Sequence, residues 1–274
     1  MSNTQLVQIN TFPIKSIAPI SLSNAWVERQ GIVFDRRFMI ALPSGMMVTA
    51  RKYPQLVKVN ASLLADGLVI SAGDKSPLYL RYDSFEMKDA ESQVWKDKFI
   101  AYTTTEEANI WFSELLGRQV KLLYTGEQSN RVRDSFNHNV SFADGYPLLV
   151  ISRASLEELN RRSGEVHSMD QFRTNLVVDH CEAFAEDSWK RIKIGDVEFE
   201  NRKPCQRCIL TTVDVNQGEL RSNKEPMKTL QTFRADERGG VYFGQNLIAL
   251  NEGKIAVGDA IDVLEYQESP RYNG

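Results

Sequence analysis

Two of the three cysteines in this 274-residue chain stand in Pro204-Cys205-Gln206-Arg207-Cys208, the spacing in the chain most able to do chemistry. Arg202, Lys203 and Arg207 surround the pair with positive charge, which favours thiolate over thiol. Thiolate is the form that binds metals and attacks electrophiles. The spacing alone leaves several uses open. A structural zinc site wants four ligands, usually two such pairs, and only Cys181, His138, His167 and His180 remain to complete one. A thioredoxin-like pair opens a helix, whereas Ile209-Leu210-Thr211-Thr212-Val213 reads as a strand. Two buried, inert cysteines are the alternative without chemistry.

The elements that must position these residues belong to a chain long enough for one large domain or two modest ones. Net charge is −3 with 25% charged residues, so bulk charge gives no reason to expect nucleic-acid binding. Three cysteines make no disulfide framework and point to a reducing compartment. They also cannot supply the four thiolates of an all-cysteine iron–sulfur cluster. No secretory signal is visible at Met1-Ser2-Asn3-Thr4-Gln5, and no apolar run approaches the ~20 residues of a membrane helix. A cytoplasmic globular protein is expected.

Strands are expected at Leu6-Val7-Gln8-Ile9, 25–28, 31–42, 46–52, 57–63, 68–71, 78–82 and 120–124, punctuated by turns at Pro43-Ser44-Gly45, Asp66-Gly67 and Gly73-Asp74. The 31–42 run carries Asp35-Arg36-Arg37 at its centre. Three charges there read either as a solvated bulge or as a basic group aimed at an anion. Glu106 to Leu116 is a helix, with a capping pattern at Thr104-Thr105 and Gly117 as its C-terminal cap. Gly126 to Asn139 lacks apolar periodicity and is placed as a boundary or mobile loop, giving domains 1–125 and 126–274. Beyond it, 147–151 reads as a buried strand leading to a helix capped by Ser152 or Ser155. Phe172 to Val178 is a further strand. Gly195-Asp196 and Gly258-Asp259 are turns feeding alternating strands. Many short strands and few helices predict a mainly β fold with some α: barrel-like β domains with helices attached.

The cysteine segment through Asp214 closely resembles the signature of MOSC-domain proteins of the mitochondrial amidoxime-reducing component type and their bacterial YcbX-like relatives. Other segments follow in family order. Phe12-Pro13-Ile14-Lys15-Ser16 resembles the opening Y-P-I/V-K-S, Asp35-Arg36-Arg37-Phe38 the D-R-x-W/F, and Thr49-Ala50-Arg51 the T-A-R. Phe142-Ala143-Asp144-Gly145-Tyr146-Pro147 precedes an I-S-x-A-S-L helix at 151–156, and Phe172-Arg173-Thr174-Asn175 stands for F-R-P-N. Agreement runs over roughly residues 5 to 265.

The resemblance implies a molybdenum cofactor (molybdenum with molybdopterin) between an N-terminal β-barrel-like MOSC_N domain and a MOSC β-barrel domain. By motif position Cys208 is the metal ligand and a catalytic residue, with Cys205 as a companion thiol. Lys15, Ser16, Arg36, Arg51, Arg173 and Asn175 carry over as cofactor-binding positions; a phosphate terminus suits such donors. Asp144 carries over as a proton donor or cofactor contact. The implied activity is reduction of N-hydroxylated compounds (amidoximes, hydroxylamines, N-hydroxylated bases). With no ferredoxin-like extension and too few cysteines, electrons come from a separate ferredoxin-like or flavoprotein partner. Sulfur transfer through a cysteine persulfide, or non-catalytic carriage of the cofactor, are the alternative readings. Thr174 departs from the family's proline and leaves a backbone N–H free to donate.

Overall fold

Gln5–Thr11 is the strand that joins the first part of the chain to the last. In the computed structural model, which describes residues 4–133 and 138–273, it enters an eight-stranded sheet otherwise made mostly of residues beyond 148. The strand order is Ile20–Leu22, Gln5–Thr11, Leu176–Asp179, Leu148–Ser152, Tyr242–Ala249, Val197–Gln206, Trp189–Ile194 and Ile261–Tyr266. Only the Leu148–Ser152 and Leu176–Asp179 strands run parallel within it, and the α2 helix (Arg153–Ser163) lies between them in the chain. The sheet curls until its ends meet, with Leu6 N donating to Asp259 O and Ile261 N to Thr4 O, both at 2.9 Å. Leu6, Ile9, Val150, Leu176, Phe199 and Leu247 fill the enclosed core.

The remaining strands form smaller sheets. Phe38–Ala41, Lys121–Tyr124, Asp97–Thr103 and Asp89–Val94 make a four-stranded sheet, and Asn60–Leu64, Gly67–Ala72 and Lys75–Arg81 a meander. The α1 helix (Glu106–Leu116) packs its Ala108, Trp111, Phe112 and Leu116 face into their shared core. Its limits are those expected: Thr105 accepts from Ala108 N, and Gly117 ends it at φ 59. Ser152, not Ser155, caps α2. The α3 helix (Met227–Phe233) carries Leu230 into a third core with Leu159, Phe172 and Phe243. The mainly β, part α prediction holds. Among the described residues no helix is long and apolar enough to cross a membrane.

Five sequence expectations need correcting, mostly around the future site. The 31–42 run is two strands, Gly31–Ile32 and Phe38–Ala41, separated by a turn in which Phe34 and Arg36 have φ 70 and 48. Residues 46–52 make only isolated bridges at Met46 and Met47, because Lys52 and Tyr53 N–H both turn back to Thr49 O. Within 57–63 a one-turn 3₁₀ helix, Pro54–Lys58, delays the strand to Asn60. The strand expected from Phe172 begins at Leu176, since Arg173 sits at φ 56 with its N–H on Asp170 O. Ile209–Thr212 is likewise a 3₁₀ turn. There the Thr211 and Thr212 hydroxyls donate to the carbonyls of Cys208 and Ile209 three residues back, offering the backbone an alternative to a ladder.

Part of the polar 126–139 stretch, residues 134–137, lies outside the described residues. In the part before it Ser129 and Arg131 are buried while Glu127, Gln128, Asn130 and Val132 are exposed, and among the described residues Arg131 is the largest fully buried side chain.

Candidate functional site

Four of the five corrections place a polar side chain, Arg36, Arg51, Arg173 or Thr211, on the wall of one cavity of about 430 Å³. Lys15 and Ser16 follow the first strand, where Lys15 N donates to Phe38 O and Ser16 adopts φ 79. The buried Lys15 ammonium donates to Phe142 O at 2.7 Å and Asp144 Oδ1 at 2.8 Å. Burial pulls its pKa down to about 8, against the opposing pull of Asp144.

Arg36 and Arg173 come from turns 137 residues apart, and each guanidinium lies 4.3 Å from the Phe12 ring centroid. Arg36 donates to buried Asp35, to Asn175 Oδ1 at 3.0 Å and to Arg173 O at 3.2 Å. The Asn175 amide in turn donates to Asn10 O and Asp35 Oδ1. Arg173 spends one nitrogen on Ile17 O, at 2.7 Å, while its buried Nη2 has no partner. Burial first, then Arg36, pushes the Arg173 guanidinium down to about 9. Two crowded cations and an orphaned donor describe a site short of an anion.

The thiols stand at the end of the Val197–Gln206 strand. Cys205 packs against the Phe172–Phe243 core, and burial pushes its thiol up, with Arg207 offsetting only part of this. The cations adjacent in sequence are largely occupied elsewhere. Arg202 pairs with Glu200 at 2.9 Å. Lys203 lies over the Tyr146 ring. Arg207 donates to Phe243 O and Phe172 O, leaving a buried Nη2 unpartnered. The cation that touches the second thiol is Arg51, whose Nε donates to Cys208 Sγ at 3.2 Å. Of the expected cations, Arg207 and Lys203 still favour the Cys205 thiolate, and Arg207 interacts with both sulfurs; the direct hydrogen bond to Cys208 comes from Arg51, 157 residues away.

Asp144 holds Arg51 from one side at 3.6 Å and Lys15 from another. Although burial favours its protonated form, the Lys15 and Arg51 charges outweigh it and keep the carboxyl well below the usual range. Asp144 is an acceptor here and positions two cations.

All nine residues expected at a site (Lys15, Ser16, Arg36, Arg51, Asp144, Arg173, Asn175, Cys205 and Cys208) line this cavity. The sequence reading missed two others. Trp95 donates through its indole to Asp144 Oδ1 at 2.9 Å and carries Arg51 over its ring at 4.2 Å. Arg131 donates to Ser141 O, Ala143 O and Asp144 O and pairs with Asp97 at 2.7 Å, fixing the loop that presents Asp144. A tryptophan between Val94 and Lys96, where a hairpin tip belongs, was the available signal. Arg131 gave none.

A phosphate-bearing metal cofactor fits these residues: orphaned buried guanidinium N–H groups at Arg173 and Arg207 suit the anion, and a cation-contacted thiol suits a soft metal. Among the described residues no group of three or more His, Cys, Asp and Glu stands together as a metal site, so the zinc reading with Cys181, His138, His167 and His180 is not assembled.

Comparison with known proteins agrees. Residues 3–119 match the MOSC N-terminal beta barrel domain and residues 137–262 the MOSC domain. The chain is 33% identical to mitochondrial amidoxime-reducing component 1 of Mus musculus, over 94% of its own length and 82% of the mouse protein. It is 32% identical to the Homo sapiens protein of that name over the same shares. It is 30% identical to the molybdenum cofactor sulfurase of Arabidopsis thaliana, over 87% of this chain but only 32% of that protein. With both domain models matched in order and its relatives covered over most of their length, the chain belongs to the MOSC-domain family of the amidoxime-reducing components.

Proposed function

We propose that this protein reduces N-hydroxylated compounds to the parent amine or amidine, using a molybdenum cofactor held in the cavity described above. The enzyme class, a molybdenum-dependent reductase, comes with the family. The observation that carries the reading is the Cys208–Arg51 contact in a cavity where Arg173 and Arg207 each keep a buried, unpartnered guanidinium nitrogen. The overall change is R–NH–OH + 2e⁻ + 2H⁺ → R–NH₂ + H₂O, and the cofactor, when bound, supplies the two-electron chemistry. The chain's own residues bind and orient. Cys208 would offer its sulfur to the metal, and Arg51 donates a hydrogen bond to that sulfur. Lys15, Ser16, Arg36, Arg173 and Asn175 hold the phosphate-bearing part, and Asp144 fixes Lys15 and Arg51. Cys205 packs beside the site as a companion thiol.

The two parts of the chain, 1–125 and 126–274, are proposed as the MOSC_N and MOSC domains with the cofactor between them. A separate ferredoxin-like or flavoprotein partner supplies electrons, since the chain carries no iron–sulfur cluster of its own in this reading. Cytoplasmic location completes the proposal, with no membrane or nucleic-acid polymer as partner.

The Arabidopsis relative supports a second reading, sulfur transfer through a persulfide. That reading places the persulfide on Cys208 or Cys205; burial pushes the Cys205 thiol up, which favours Cys208 as the carrier. A carrier that passes the cofactor on without turnover is the third. Molybdenum and pterin content of protein made in a cofactor-competent host separates these, comparing wild type, Cys208→Ser and Cys205→Ser. Near-stoichiometric metal lost only in Cys208→Ser, with turnover of an amidoxime by dye-reduced wild type, supports the reductase. Persulfide with no molybdenum in any variant rejects it, and loaded protein that passes cofactor to apo-enzymes without turnover supports the carrier.

A further inference from the structure

The hairpin joining Asp89–Val94 to Asp97–Thr103 has a two-residue tip, Trp95-Lys96, with Val94 paired to Asp97. Tips of this length need positive φ, and Trp95 has φ 57, a conformation that Gly, Asn or Asp adopts at lower cost. The indole is also 46% exposed. A strained, exposed tryptophan has no role in the core.

Its surroundings are nevertheless organised. Trp95 O accepts from Gln93 Nε2 at 2.7 Å, and its indole N–H donates to Asp144 at 2.9 Å. Two residues on, Asp97 pairs with buried Arg131, which anchors the hairpin base. Among the described residues Arg51 is the only cation or ring stacked on the indole, at 4.2 Å, and that same Arg51 donates to Cys208 Sγ. The ring therefore lies one guanidinium away from the sulfur and lines the cavity.

We propose that Trp95 is the specificity-determining residue of this site, a platform on which flat, neutral, conjugated N-hydroxylated substrates stack. The inference rests on the reductase reading and deepens it by naming the substrate class. Stacking needs a planar partner. With Arg51 on the ring already, a second cation on the indole meets a like charge nearby, which disfavours protonated aliphatic amines.

The test uses molybdenum-loaded enzyme with a dye reductant, so no protein partner is required. Two amidoximes of equal reach are compared, benzamidoxime and its cyclohexyl analogue, which carries similar apolar surface without flatness. The ratio of their kcat/KM values is expected to fall about five- to tenfold in Trp95→Leu, chiefly through KM, and to be largely restored in Trp95→Phe. An unchanged ratio with both rates falling together means that Trp95 merely pins Arg51, and overturns the proposal. Calorimetric binding of the two compounds without reductant gives the same selectivity independently of turnover. Loaded wild type that binds benzamidoxime preferentially through Trp95 yet reduces neither compound sinks the reductase reading and keeps the platform. Should Trp95→Leu fail to fold, Trp95→Met supplies the non-planar variant.

Discussion

Cys205 and Cys208 are three residues apart and both half-buried, yet their sulfurs meet different neighbours. Cys205 ends a strand against the Phe172–Phe243 core and is pushed toward the neutral thiol by burial. Cys208 sits at the entry to a 3₁₀ turn and receives a guanidinium hydrogen bond from Arg51. Among the described residues, those that flank both cysteines in sequence make no direct side-chain hydrogen bond to either sulfur, although Arg207 and Lys203 act on Cys205 through their charge. Arg202 is committed to Glu200, and Arg207 to two carbonyls. Charge near a cysteine in the chain is thus a poor guide to contact with its sulfur; the cation that touches Cys208 arrives from a turn 157 residues away and is held there by Asp144 and Trp95.

The sharpest way to break this contrast is Cys208→Ser. It should lower bound molybdenum at least tenfold, while Cys205→Ser stays within about twofold, both read by elemental analysis. Equal losses would make the two thiols functionally equivalent. The supports of the contrast come next. Arg131→Met removes a buried guanidinium from Asp97 and three carbonyls, and should cost about 3 kcal/mol in urea unfolding. A loss under about 1 kcal/mol would mean that the Asp144 loop is held by something else. Arg51→Met should reduce molybdenum uptake at limiting cofactor about tenfold, the scale of a lost hydrogen bond to a charged group, against less than twofold for Arg202→Met. The reverse order would restore the chain neighbour over the spatial one.

The smallest effect is a pH dependence at the carboxylate that holds Arg51. Lys15 has a folded pKa near 8 against 10.5 when free. Between those values the unfolded chain binds the extra proton, so this group's contribution to stability rises with pH across the window and is flat, at its least favourable, below 8. Wild type should therefore gain in Tm relative to Lys15→Met as pH climbs from 8 to 10.5. A constant difference would place the ammonium in water.

Much of this site was legible in the sequence, and for a physical reason. Lys15, Arg36, Arg51, Asp144 and Arg173 carried over by motif position, and each lies at a break between elements, where a charge faces a cavity rather than a ladder. Fold type and the limits of α1 followed from capping and periodicity. What failed was the backbone between elements. The turn at 33–36, the left-handed Arg173 and the 3₁₀ turn after Cys208 depend on hydrogen bonds to partners that local propensity does not see. Thr211 and Thr212 illustrate this: β-branched residues favour strands, yet their hydroxyls found nearer acceptors. Trp95 and Arg131 were missed because their partners, Asp144 and Asp97, are 49 and 34 residues away.

The strand Gln5–Thr11 pairs Gln5 with Asp179 and bridges Ala260, so its neighbours are synthesised long after it. Contacts of such sequence separation form slowly, since the intervening loop must be ordered first. Lys15 and Ser16 follow that strand by a few residues and Cys208 lies in the far half, so the cavity is complete only once these distant segments have met. Cofactor uptake then acts as a report of completed folding: a ligand that recognises only the finished cavity stabilises the native chain by mass action, and protein left unloaded stays closer to the unfolded pool that proteases sample.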